Sequence, residues 1–182
     1  MIKRLREKYT DEELKKIYDA PHVSSKWEDH NIRVDRTIEF AKKNFPNAST
    51  AADLSAGDAR IINALALKET YIGDYAPGYQ FTGPIENSIS EIPVVDLFII
   101  SETIEHLDDP GHVLSLIRGK TKGLVLSTPV NKFDDNNPEH YWAWDYEGIE
   151  SLLVEAGFTI IDSDVIALGE KFYYDFQLMA AE

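Results

Sequence analysis

From Thr50 onward, short β-prone apolar runs alternate with segments of helical period, and the run from Val94 to Ile100 is apolar at every position except Asp96. A strand without a polar face belongs in the middle of a parallel sheet, where helices cover both sides. The flanking segments fit that arrangement. Thr50 to Leu54 reads as a strand, Ala59 to Leu67 as a short helix, and Tyr71 to Gly73 as a second strand. Asp109-Pro110 supplies an N-cap and a first-turn proline for a helix carrying Val113, Leu114, Leu116 and Ile117, which Gly119 can end. Leu124 to Ser127 is another strand. Asp145 can cap a helix with Ile149, Leu152, Leu153 and Ala156 on one face, closed by Gly157. Phe158 to Ile161 and Phe172 to Met179 are consecutive strands, which implies a terminal hairpin. In the last of them Phe172, Tyr174, Phe176 and Leu178 alternate with Tyr173, Asp175 and Gln177, which predicts one wetter face.

Residues 1–46 read as helical, with capping boxes at Thr10/Glu13 and Ser25/Glu28 and a stop at Pro46. The expected fold is α/β: a Rossmann-like three-layer sandwich with a mainly parallel sheet, a terminal β-hairpin and an N-terminal helical cap. The expectation is one domain, with the cap over 1–46 and the core over 47–182. A chain of 182 residues, 43% of them hydrophobic, can bury such a core. With no cysteine there is no disulfide, Cys-ligated zinc or thiol nucleophile, and a cytoplasmic setting is expected. No apolar run approaches the roughly 20 residues of a membrane span, and Lys3, Arg4, Arg6 and Lys8 lack the apolar segment of a secretory signal. A net charge of −14 repels phosphate backbones, so the expected partner is a small molecule rather than nucleic acid or membrane, with the chain a monomer or homodimer.

The stretch Asp53-Leu54-Ser55-Ala56-Gly57-Asp58-Ala59 lies between the first strand and its helix. Small residues there let backbone approach a ligand at a helix start. Asp74 ends the next strand, one strand–helix–strand step on, where a carboxylate can accept both hydroxyls of a cofactor ribose. Only Tyr75-Ala76-Pro77-Gly78 separates it from Tyr79-Gln80-Phe81-Thr82, too short for a helical crossover. The third strand is therefore expected to be lost, displaced, or reached by a simple turn.

These segments resemble, in order and spacing, the motifs of class I S-adenosylmethionine-dependent methyltransferases. Asp53 to Ala59 is similar to the first glycine motif, although Ser55 and Ala59 replace two of its glycines. Ile72-Gly73-Asp74 is similar to the ribose-binding strand end, Ser101 to Pro110 to the segment after the fourth strand, Leu126 to Asn131 to the fifth strand's end, and Glu155 to Phe158 to the entry to the sixth. The resemblance covers Thr50 to the C-terminus. It implies S-adenosyl-L-methionine as cofactor, with Asp53, Ser55, Ala56, Gly57, Asp74 and Ser101 among its contacts. Tyr75 would pack on the nucleoside and Ile85 or Glu86 would serve near the adenine. Arg33, in helices that fold over the cofactor, would pair with the methionine carboxylate.

Glu102-x-x-Glu105-His106, if helical, shares one face, and His140 follows. Glu102, Glu105, His106 and His140 could hold a divalent metal such as Mg, Mn or Zn. The pattern is similar to the metal site of small-RNA terminal 2′-O-methyltransferases and of ubiquinone-pathway O-methyltransferases. Without a metal, His106 or His140 would be the general base, with Glu105 beside them. The expected function is methyl transfer to an O or N nucleophile of a small molecule. The alternatives are a metal-dependent RNA 3′-end 2′-O-methyltransferase and an S-adenosylmethionine-binding protein without transferase activity.

Overall fold

The structure is a computed structural model that describes residues 1–182, the side chain of Ser24 excepted. Its elements run β1 (Ile2–Arg4), α1 (Asp11–Ile17), α2 (Glu28–Asn44), β2 (Thr50–Asp53), α3 (Arg60–Ala64), β3 (Glu69–Asp74), β4 (Phe81–Thr82), α4 (Ile85–Ser88), β5 (Val95–Ser101), α5 (Pro110–Arg118), β6 (Thr121–Val130), β7 (Trp142–Trp144), α6 (Tyr146–Glu155), β8 (Ile160–Ile166) and β9 (Asp175–Ala181). Seven strands form one sheet in the order β4-β3-β2-β5-β6-β9-β8. β4, β3, β2, β5 and β6 run parallel, and β9 and β8 pair antiparallel at the far side.

The strand period of two divides the core between two faces. Phe98, Ile100, Leu124, Leu126 and Met179 join α5 and α6 in one cluster, while Leu97, Ile99, Val125, Leu178 and Ala180 pack with Val34, Phe40 and Ala41 of α2 in the other. The mainly parallel three-layer sandwich and its terminal hairpin are therefore as expected. Asp109 and Asp145 cap their helices by accepting from His112 N and Gly148 N, both at 2.9 Å. Gly157 ends α6 at φ +91°. Among the described residues, no helix is long and apolar enough to cross a membrane.

Four local expectations need correction. Residues 1–46 are not wholly helical: β1 pairs antiparallel with β7 in a separate two-stranded sheet. The Ser25/Glu28 capping box does not form; Trp27 is the N-cap of α2, without a side-chain bond, while Thr10/Glu13 closes as expected. β9 starts at Asp175 and has no wet face, because Gln177 is as buried as its neighbours. The connection over 75–80 contains no helix, and β4 nonetheless pairs in parallel with β3. It is only two residues long and sits against Gly73, where a Cβ would lie 2.8 Å from that of Phe81. The missing side chain is what lets the clipped crossover close.

Candidate active site

Strand order reverses about β2, and the crevice beyond the carboxyl ends of β2 and β5 is where open α/β sheets take ligands. A cavity of about 370 Å³ lies there, within the usual size range of ligand pockets. It gathers the turn after β2, the ends of β3 and β5, α2, and the N-terminal residues Leu14, Tyr18 and His22.

The β2–α3 turn needs unusual backbone. Gly57 has φ +55° and Ala59 φ +56°, so both occupy the left-handed region. Ala59 stands where the resembled motif has glycine and carries the steric cost itself. Asp74 ties the two loops: Oδ2 accepts from Gly57 N at 2.8 Å and Oδ1 from Ala76 N at 2.9 Å. Tyr79 OH donates to Gly57 O at 2.7 Å. Beyond β5, Arg33 is 4% exposed; its Nη1 donates to Ser101 Oγ at 2.5 Å, and its Nε has no partner.

All ten residues expected at the cofactor line this one cavity: Asp53, Ser55, Ala56, Gly57, Asp74, Tyr75, Ile85, Glu86, Ser101 and Arg33. His106, His140 and Glu102 line it as well, while Glu105 is buried behind it, at 1% exposure. Trp142 and Trp144 do not line it. Trp144 is a core residue whose Nε1 donates to Thr128 Oγ1 and Pro129 O.

Glu102, Glu105 and His106 do not share a helical face. Glu102 has φ +53°, and only Ile104–His106 form a 3-10 turn. Glu102 N still donates to Ser127 O at 2.9 Å, so the β5–β6 ladder runs to Glu102 before the chain leaves the sheet. The metal-capable group formed by these side chains does not include Glu102. Ligand atoms of Glu105, His106 and His140 lie within 4.8 Å of one another.

Burial dominates the electrostatics. It pushes the Asp53 carboxyl up to about 7, with Asp74 adding to the shift and the Ser55 N–H and Arg33 opposing it. Burial also raises Glu102 well above the usual carboxylate range and raises Glu105. It presses His106 down to about 3, helped by His140. At neutral pH His106 is thus an uncharged ring. The buried atoms Glu102 Oε1, Glu105 Oε1 and His106 Nδ1 have no hydrogen-bond partner among the described residues.

Asp53 gives a pH prediction. Its folded value lies above the unfolded one, so its contribution to stability is complete at acid pH and is lost as pH rises through about 7. Asp53→Asn removes this dependence. Urea unfolding should find the wild type losing about 1–3 kcal/mol relative to Asp53→Asn between pH 5 and pH 8. A pH-independent difference would refute the assignment.

The sequence reading missed Asp135, Asn137, Glu139, Tyr18 and Tyr174. Asn137, Glu139, Tyr18 and Tyr174 line the cavity, and Asp135 supports His140 from behind it. The polar loop Asp134 to His140 was the available signal, because its Asp and Asn side chains bond their own backbone.

No protein-family model and no curated protein sequence matches the chain. Solved structures do. The 1,6-didemethyltoxoflavin-N1-methyltransferase of Burkholderia thailandensis, with 1,6-didemethyltoxoflavin and S-adenosylhomocysteine bound, superposes with TM-score 0.67 at 14% identity, covering 99% of this chain and 93% of that one. The fold is that of the class I S-adenosylmethionine-dependent methyltransferases. Magnesium protoporphyrin IX methyltransferase of Synechocystis, with S-adenosylhomocysteine bound, gives 0.64 at 15% identity over 93% and 92% of the two chains. The N-methyltransferase NodS of Bradyrhizobium japonicum gives 0.62 at 13% identity over 81% and 85%.

Proposed function

We infer that the protein transfers a methyl group from S-adenosylmethionine to an oxygen or nitrogen of a small molecule. The observation that supports this most is the placement of Arg33, the Asp53–Gly57 turn, Asp74 and Ser101 around one cavity at the strand ends. These residues fit the cofactor. Gly57 and its neighbours leave backbone open to close approach, Asp74 has lone pairs to spare for ribose hydroxyls, and the unpartnered Nε of Arg33 suits a carboxylate. The bound cofactor supplies an electrophilic methyl on a positively charged sulfur.

The cavity lining also includes Glu102, Asp108, Glu139, His106, His140 and Tyr174, with Lys8, Arg33 and Arg60 as its basic residues. Such a lining favours neutral or cationic acceptors over acids or phosphate esters. This weighs against an RNA 3′ end, as does the charge of −14. Positioning the acceptor in line with the methyl supplies much of the rate in a displacement of this kind.

Calorimetry tests the reading. S-adenosylmethionine and S-adenosylhomocysteine should bind, and NAD should not. Arg33→Met should weaken S-adenosylhomocysteine by about tenfold, the scale of a lost charged hydrogen bond, and should leave 5′-methylthioadenosine, which lacks the carboxylate, unchanged. Absence of binding by both adenosyl ligands would overturn the function. Equal losses for S-adenosylhomocysteine and methylthioadenosine would overturn the role of Arg33. Tight binding without turnover of any amine, phenol or catechol acceptor would favour a binding protein without transferase activity.

A further inference from the structure

The loop between β6 and β7 holds a buried carboxylate outside the cavity lining. The Asp135 side chain is 3% exposed, and the His140 side chain beside it 6%. Asp135 Oδ2 lies 2.7 Å from His140 Nδ1. Asp135 Oδ1 accepts from Tyr174 OH at 2.9 Å and from Asn137 N at 2.8 Å. Both oxygens are engaged from three directions, so the carboxylate cannot turn away. Burial works to raise its pKa, but the bonds from His140, Asn137 and Tyr174 outweigh it and hold Asp135 below the usual carboxylate range.

An ionised carboxylate only accepts hydrogen bonds. His140 Nδ1 therefore carries the hydrogen in that contact, and in the neutral ring the lone pair is then on Nε2. The ring lines the cavity. His106 meets it edge-on, with ring centroids 4.7 Å apart, and Tyr174 packs at 5.5 Å. A carboxyl oxygen of Glu105 lies within 4.8 Å of a ring nitrogen of His140, and Glu139 precedes His140 in the chain.

Resting on the methyltransferase reading, the geometry points to Asp135 as the residue that positions His140 to act as general base through Nε2. The two histidines are thereby distinguished. His106 Nδ1 has no hydrogen-bond partner, and Glu105 Oε1 lies 3.9 Å from its Nε2, beyond a hydrogen bond, so no carboxylate fixes its tautomer. His140 has a fixed tautomer and a counterion for the charge it would acquire. In the step, the acceptor O–H or N–H proton moves to His140 Nε2 while the freed lone pair forms the bond to the methyl carbon. The sulfur–methyl bond breaks with its electron pair going to sulfur, giving S-adenosylhomocysteine. His140 then returns the proton to solvent. Asp135 touches neither reactant. Tyr174 and Asn137 hold Asp135, and so act one contact further out.

The test reads the tautomer first, in ¹⁵N-histidine-labelled protein by long-range ¹H–¹⁵N correlation at pH 8, where no acceptor is needed. Wild-type His140 should show a protonated Nδ1 and a bare Nε2. Asp135→Asn should abolish that preference. A wild-type His140 protonated on Nε2, or an unchanged tautomer in Asp135→Asn, overturns the proposal. With an amine or catechol acceptor that the wild type methylates, Asp135→Asn should lower kcat by about 100-fold and shift acceptor KM by less than about threefold, the pattern of a lost base rather than a lost binding contact. An unchanged kcat also overturns it. S-adenosylhomocysteine affinity of the wild type is measured in parallel. Failure to bind it, with the tautomer as expected, overturns the methyltransferase reading and not the Asp135–His140 pairing.

Discussion

Asp74→Ala is expected to weaken S-adenosylhomocysteine binding by about 1–3 kcal/mol, roughly 5- to 150-fold. Two effects add. The ribose hydroxyls lose a charged acceptor, and the pocket loses the clamp between its two loops, because the same carboxylate holds Gly57 N and Ala76 N. Asp74→Asn separates them. Its amide keeps one acceptor oxygen, so it should retain the folded turn and lose affinity by a smaller factor. Calorimetry on the three proteins measures this. An Asp74→Ala protein that binds with unchanged affinity would remove Asp74 from the cofactor site.

Trp144→Ala should be the more damaging change to the fold, by about 3–5 kcal/mol in urea unfolding. The indole is 1% exposed in the core cluster formed with α6 and the sheet, and its Nε1 bonds Thr128 Oγ1 at 3.2 Å and Pro129 O at 3.0 Å. Truncation leaves a large cavity and two acceptors without their donor. A domain has only about 5–15 kcal/mol in hand, so this is a large share of its stability. Trp144→Phe refills most of the volume and should cost less. Because Trp144 lies outside the cavity, Trp144→Phe should bind S-adenosylhomocysteine as the wild type does. A selective loss of ligand affinity with normal stability would mean that the indole reaches the site.

Much of the architecture was legible in the chain. Val94 to Ile100 announced a strand buried on both faces, and Asp109-Pro110, Asp145 and Gly157 marked helix ends, because apolar periodicity and capping chemistry are local. The gathering of Asp53, Gly57 and Asp74 at one crevice was legible for a related reason. They sit at strand ends, and the strand–helix–strand repeat fixes where strand ends meet. The N-terminal strand escaped because β1 exists only through β7, more than a hundred residues away. The supposed Glu102-x-x-Glu105-His106 helix failed for a complementary reason. The i, i+3, i+4 pattern presumes helical backbone, and Glu102 is in the left-handed region instead.

The sequence by itself determined the sandwich, its mainly parallel sheet and the carboxylates at its strand ends, since each follows from near-neighbour periodicity and the short reach of loops. The tertiary structure alone decided what the histidines can do. It set His106 against His140, placed Asp135 behind one of them, brought Tyr174 from the far hairpin to hold that carboxylate, and buried Glu105 beside the pair. Tautomer and basicity depend on burial and on partners distant in the chain, and spacing along a sequence carries neither.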